Sequence, residues 1–411
     1  MPDRDPELEG DASEDEATSG LEFATEDDAA LEPAETARFS EAVLYSSDWT
    51  VETVISQLKN QNIEMNPRFQ RRDAWTTRGK SRFIESALLG FPIPQIVLAE
   101  KKGVRGQFIV LDGKQRLLSL LQFTGNAEGP KNGFRLSGLE VRTDLKARKF
   151  SQLEKDPERR NDLNAFFNNT IRTVVIRNWP DTNFLHVVFL RLNTGSVKLS
   201  PQELRQAMVP GHFSDYVDDT ALASEHIKRL LGRTTPDPRM RDVELLVRYL
   251  AFRRYLPTYT GRMKEFLDRT CEILNAAWEQ EAASVRDDIE QFEAAVDTLI
   301  EIFGQENLAR KPGSRSFNRA IFDALIFFAA DAEIRQAMSK EPDRVRALYS
   351  ENLKDTGFAE AVESDTAGIP HTHDRLSLWG NTLRDALGLK FNVPSLESRE
   401  EGARIAFNGL R

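Results

Sequence analysis

The sequence predicts an α+β first half followed by an all-helical second half. Three observations carry that reading. Strand-length runs rich in β-branched residues, "QIVLA", "QFIVL" and "IRTVVIRNW", fall in the first half, bounded by Pro and Gly. Helix start and stop signals interleave with them. After about residue 211 long amphipathic segments follow one another with few strand signals. The expected organisation is an acidic tail over 1–37, an α+β domain over 38–215 and a helical domain over 216–411.

In chain order, "WTVETVISQLKN" places Val51, Val54, Ile55 and Leu58 at helical spacing, with Asp48 as the expected N-cap. "IEMNPRFQRRDAW" reads as a brief extended piece and a loop, and "RGKSRFIESALLG" as a helix stopped by Gly90. In "FPIPQIVLAE" the prolines hold the backbone extended, so Gln95 to Ala99 is expected as a strand. A turn over Lys101 to Gly106 then returns it as a hairpin through Gln107 to Leu111. Residues 171–179 form a third expected strand, and "FLHVVFLRLNTG" a helix ending at Gly195. Ser200, Pro201 and Glu203 supply N-cap, N1 and N3 of a capping box. Helices are expected over 241–256, 262–280, 286–304, 317–330 and 342–353. No internal repeat is visible.

Composition narrows the function classes. No run reaches the roughly 20 apolar residues that a membrane span needs, and the acidic start is unlike a signal peptide, so a soluble, cytoplasmic protein with no membrane partner is expected. The single cysteine, Cys271, excludes an intrachain disulfide framework and any cysteine zinc cluster, and is expected as a small buried hydrophobe. The net charge of −10 is unevenly spread: residues 1–37 sum to −13, 38–210 to +10 and 211–411 to −7. The tail composition is that of a disordered segment. It serves solubility, or mimics phosphates and competes for the basic middle.

The stretch "FIVLDGKQRLLSLLQF" interrupts an apolar run with Asp112, Gly113, Lys114, Gln115 and Arg116. A strand that feeds a helix through Asp-Gly presents free backbone N–H groups at the helix start, where the dipole also favours an anion. Phosphate is the natural guest: Gly113 permits close approach, and Lys114 and Arg116 add charge-assisted bonds. Asp112 would hold a divalent cation, bond a ribose hydroxyl, or simply cap the helix. In "NPRFQRRDAW", Arg68, Gln70, Arg71 and Arg72 lie between Phe69 and Trp75, so planar donors sit beside rings that stack on bases; the bland alternative is core anchors with solvated arginines. Arg191, Asn193, Thr194 and Gly195 crowd a helix exit that a glycine C-cap would equally explain.

Taken together and in order, "NPRFQRRDAW", "RFIESALLGFPIPQIVL", "FIVLDGKQRLLSLLQF" and "FLRLNTGSVKLSPQELRQAMVPGHF" resemble the N-terminal domain of GmrSD-type restriction endonucleases, over about residues 45 to 215. The resemblance implies a ParB/sulfiredoxin-like fold, a mixed small sheet with helices, in which a Gly-x-x-Arg turn binds nucleotide phosphates; Gly113 and Arg116 fit that turn. It implies binding and hydrolysis of a nucleoside triphosphate with Mg2+ or another divalent cation, in bacterial defence against foreign DNA. By the same carry-over Asp112, Gly113, Gln115 and Arg116 match the family's Asp-Gly-Gln-Gln-Arg box, Gln70 with Arg71 its Gln-Arg pair, and Arg191, Asn193, Thr194 and Gly195 its Arg-Leu-Asn-Thr-Gly block.

The expected site therefore has Asp112, Gln115, Arg116 and Glu203 as catalytic groups, with Asp112 also the metal ligand. Gln70, Arg71, Arg72, Gly113, Lys114, Arg116, Arg191, Asn193, Thr194 and Gly195 would bind nucleotide, and Arg68, Lys101, Lys102 and Arg105 would bind DNA. Two features depart from the family. Lys114 stands where Gln is commonest, and no His-Asn-His nuclease pattern follows: His371 and His373 are the sole close histidine pair, without an evident third ligand. The leading expectation is a nucleoside triphosphatase that responds to DNA and acts with a separate nuclease. The rivals are a DNA-binding or regulatory module without hydrolysis, and a DNA nickase. The helical half is expected to serve as a partner or self-association platform, or as a lid.

Overall fold

The computed structural model describes residues 43–64, 75–127, 132–180, 184–185, 188, 200–399 and 402–411. The acidic tail, Arg68, Gln70, Arg71, Arg72, and Arg191, Asn193, Thr194 and Gly195 lie outside them. The chain divides into two compact units. One holds the described residues up to Pro210 together with Asp237–Arg241; the other holds Gly211–Pro236 and Asp242–Arg411.

The first unit is α+β. Its elements are β1 (Val43–Thr50), α1 (Val51–Lys59), β2 (Ile63–Glu64), α2 (Thr77–Leu88), β3 (Ile93–Glu100), β4 (Phe108–Asp112), α3 (Lys114–Phe123), α4 (Phe150–Lys155), α5 (Arg160–Asn168), β5 (Thr170–Arg177) and α6 (Pro201–Met208). The strands form one mixed sheet in the order β1-β5-β3-β4-β2. β1 runs antiparallel to β5, β5 parallel to β3, β3 antiparallel to β4 and β4 parallel to β2. The expected hairpin is therefore present, one residue out at its second strand. β1 was not expected: six of its eight residues, Val43 to Asp48, are exposed, so no buried face imposes an alternation on the sequence. The strand also runs through Asp48, and Thr50 replaces it as the cap of α1, its hydroxyl accepting from Thr53 N at 3.1 Å.

Strand alternation feeds two cores. Ile96 and Leu98 of β3, Phe108 and Val110 of β4, and Ile171 and Val175 of β5 meet Val54, Ile84 and Leu117 from the three helices on one face. Val97, Ala99, Leu111 and Ile176 turn the other way, onto Phe184, Leu185 and Leu204 of α6. Each of the larger of these side chains, fully buried, contributes about 1.5–3 kcal/mol.

The chain between α3 and β5 is anchored through one carboxylate. Glu85, on α2 and 5% exposed, accepts backbone N–H bonds from Glu140 at 3.1 Å, Val141 at 2.8 Å and Arg142 at 2.6 Å. Burial pushes its pKa up, but these bonds and Arg82 outweigh that and hold it below the ordinary value. Ser137 N donates to Ser81 Oγ at 3.0 Å alongside.

The second unit comprises α7 (His212–Ala223), α8 (Glu225–Leu231), α9 (Arg241–Tyr255), α10 (Met263–Ala276), α11 (Trp278–Phe303), α12 (Arg319–Ala329), α13 (Ala332–Lys340), α14 (Pro342–Asn352), α15 (Thr356–Glu363) and α16 (Ile369–Leu387). The sequence predicts this unit to be all-helical, and the structure departs from that: β6 (Ser395–Arg399) and β7 (Gly402–Ala406) pair antiparallel. Of β7 only Ile405 is buried, so the hairpin leaves little apolar pattern to read. The helix expected over 262–280 is two, broken at Ala277. Within the unit, Arg248 is 1% exposed and grips Asp323 with two bonds, at 3.1 and 2.5 Å. Cys271 is buried in α10, as expected.

Because its pKa is depressed on folding, Glu85 stabilises the fold fully above the unfolded value of roughly 4.3, and that contribution fades as pH falls through the lower folded value. Glu85→Gln should cost about 1–3 kcal/mol in denaturant unfolding at neutral pH and should flatten the decline of stability on the acid side of pH 4.3. An unchanged acid limb would remove Glu85 as the anchor.

Candidate functional site

The corner between β4 and α3 is made by two irregular strands. On β4, Leu98 faces Val110 but Val97 faces Asp112, so Leu111 is an extra residue and the bulge re-aims Asp112. On β3 the register against β5 slips between Ile93 and Ile96, at Pro94, which has no N–H to give to a ladder. The slip leaves the Gln95 carbonyl to other donors.

Gly113 then begins α3. It sits at φ +98°, a left-handed conformation that glycine adopts without penalty. A Cβ there would lie 3.0 Å from Ile96 Cγ1 and 3.4 Å from Arg116 Nη2. As the cap residue of α3, Gly113 offers no side-chain acceptor, and the first-turn N–H groups of a helix have no acceptor within it. Arg116, 5% exposed, turns inward: its Nη2 donates to Asp112 Oδ2 and to Gln95 O, each at 2.8 Å. Its Nε is buried without a hydrogen-bond partner among the described residues.

Lys114 and Glu203 form a buried ion pair at 2.7 Å, their side chains 6% and 3% exposed. Glu203 gets there as N3 of α6: its Oε2 accepts from Ser200 N at 2.7 Å, and its own N–H donates to Ser200 Oγ at 3.0 Å. Ser200 Oγ donates to Arg239 O at 2.6 Å, and Arg239 Nε lies 4.0 Å from Glu203. Gln115 Oε1 accepts from Trp75 N at 3.3 Å. Asp112, Gly113, Lys114, Gln115, Arg116 and Glu203 are thus brought to one corner. Gln95, Trp75 and Arg239 join them through backbone groups or at long sequence range, which no motif announces.

The hairpin cations lie at the opposite end of β4. Lys101 pairs with Glu64. Lys102 bonds the Pro180 carbonyl and sits 4.5 Å from the centre of the Trp179 ring. Arg105 is exposed. Among the described residues no three His, Cys, Asp or Glu side chains gather as a metal cluster. His371 Nδ1 lies 3.2 Å from Asp365 O and His373 Nδ1 2.9 Å from Asp374 Oδ1. No helix among the described residues is long and apolar enough to cross a membrane.

Residues 51–210 match the family model described as the GmrSD restriction endonuclease, N-terminal domain. The matched range contains both corner helices, α3 and α6, and three of the four sequence blocks in full, which supports the resemblance drawn from them. No curated protein and no solved structure matches.

Gly113→Ala should destabilise the unit by about 1–3 kcal/mol, through backbone strain and the contact on Ile96, read as a shifted denaturant midpoint. For the ion pair, Lys114→Gln and Glu203→Gln should each cost about 3–5 kcal/mol because each strands a buried charge. The double variant should cost much less than the sum; additive losses would show that the two groups do not act as a pair.

Proposed function

We propose that the β4–α3 corner binds the phosphates of a nucleoside triphosphate and that the protein hydrolyses it in response to DNA, as a restriction-type defence protein working with a separate nuclease. The observation that carries the reading is the glycine-headed start of α3 beside a buried arginine whose Nε has no hydrogen-bond partner among the described residues. The family match supports the restriction-type setting and DNA as partner, and a ParB/sulfiredoxin-like scaffold is part of the same reading.

In this scheme the N–H groups of Lys114, Gln115 and Arg116 donate to phosphate oxygens, and the dipole of α3 adds to them. Arg116 stabilises charge that develops on the transferring phosphoryl group from a position fixed by Asp112 and Gln95. Glu203 spends one oxygen on Lys114 and the other on Ser200, so we assign it to positioning Lys114. Gln70, Arg71, Arg72, Arg191, Asn193, Thr194 and Gly195 complete the nucleotide pocket as the resemblance implies. Mg2+ keeps several waters and takes one or two carboxylates besides phosphate oxygens, so Asp112 suits it as a single protein ligand. When bound, the ion would neutralise phosphate charge.

The rival is a DNA-binding regulator without hydrolysis. It is favoured by the pairing of both corner cations with carboxylates, Lys114 with Glu203 and Arg116 with Asp112. Phosphate release from ATP, GTP, CTP and UTP with Mg2+, with and without DNA, separates the two. Release from at least one is expected, and Arg116→Ala should weaken binding of that nucleotide at least about tenfold. No release under any of these conditions would leave the regulator.

A further inference from the structure

We infer that the chain between α3 and β5 is a DNA-binding face, with a cleft at the C-terminal end of α3 that takes one unstacked base. This rests on the reading that the protein acts on DNA, and it places that contact away from the hairpin. The first observation is how the cations of this segment divide. Arg142 and Arg159 are neutralised in a network with Asp144 and Asp162, in which Arg142 meets Asp162 at 2.7 Å and Arg159 meets Asp144 at 2.5 Å. Bonding to Arg142 first, and then to Arg159, holds the Asp144 carboxyl down at about 2, so these charges cancel at any working pH. Lys146, Arg148, Lys149 and Lys155 form no such pair among the described residues. The first two and Lys155 are exposed, and Lys149 is half-buried.

The second observation is the cleft, of about 260 Å³, that Lys149 shares with Lys59 of α1. The partly exposed Phe150 and Phe167 wall it, packed edge to face at 6.0 Å between centroids, over the fully buried Phe123, 5.6 Å from Phe150. Its size is just under the roughly 300–1,000 Å³ of pockets that engulf drug-sized molecules, and fits a single planar heterocycle. Aromatic walls suit any base, since every base has a π face. Glu154 also lines the cleft; it disfavours a phosphate inside and can accept from a base amino group. Unpaired cations spread over 146–155 exceed what one nucleotide needs, so the occupant is an extended polyanion with its phosphates outside and one base within.

By contrast Lys101 and Lys102 are already engaged by Glu64, Trp179 and Pro180. The segment can bear load because Glu85 docks its start to α2.

The test is anisotropy of a labelled DNA duplex bound by the full chain over a range of salt. Replacing Lys146, Arg148 and Lys149 together by Ala should weaken binding at least about tenfold and lower the log K against log salt slope by about 2–3, near 0.9 per phosphate contact. The same replacement of Lys101, Lys102 and Arg105 should do less. A duplex carrying 2-aminopurine should brighten on binding, and Ser151→Trp, which fills the cleft from an exposed position, should abolish that rise while retaining affinity. Wild-type affinity and slope in the 146–149 variant would overturn the placement alone. Failure of the unaltered protein to bind DNA at any salt would overturn the DNA reading itself. An absent fluorescence rise would overturn the base in the cleft.

Discussion

The guanidinium of Arg116 is the group around which the corner is built. Its Nη2 bridges a carboxylate at the end of β4 and a carbonyl on β3, and both partners sit where their strands depart from regular pairing. A slipped ladder strands backbone groups whose burial costs on the order of 1–3 kcal/mol each. One buried cation takes up the Gln95 carbonyl on one strand and the Asp112 carboxylate on the other, and the left-handed Gly113 that follows lets the helix begin without a linker.

α3 extends the same logic. All ten of its residues are buried, yet half are polar, and four of these five side chains reach different parts of the unit. Lys114 reaches α6, Gln115 the backbone at Trp75, and Arg116 the sheet. Gln122 accepts from Lys80 of α2 at 2.6 Å, and Ser119 donates back to Gln115 O at 2.7 Å. A purely apolar helix in this position would tolerate axial sliding and rotation, whereas these contacts admit one register. The helix is about 15 Å long. It fixes the proposed phosphate site at its start and the Phe123 end of the cleft in one rigid element.

Local chemistry was legible in the sequence. The Asp-Gly junction, the β3–β4 hairpin and the Ser200–Glu203 capping box rest on neighbours along the chain, and the structure keeps them. What escaped depends on distant partners or on weak burial. Glu203 stands 89 residues from Lys114, and its N3 spacing announces a cap, which it is, without announcing a salt bridge. β1 is an exposed edge and Ala277 breaks a helix without Gly or Pro, so neither leaves a period or a punctuation mark. The Glu85 nest uses backbone donors, which every residue carries.

The two kinds of cation in this unit answer different physical demands. Lys114 and Arg116 are taken out of water, and an ion pair so placed gains little over well-matched apolar packing, because desolvation offsets its Coulomb attraction. What the pair supplies is position rather than stability: an ammonium held at 2.7 Å from Glu203 has one location, on the first turn of α3. Lys146, Arg148 and Lys155 are exposed and keep their hydration and rotamer freedom; on the proposal above, a polyanion would replace the counterions around them. Geometry is therefore fixed in advance at the corner, where a reacting group would need it, and left adaptable on the outer face, where a sequence-tolerant grip on phosphates would not.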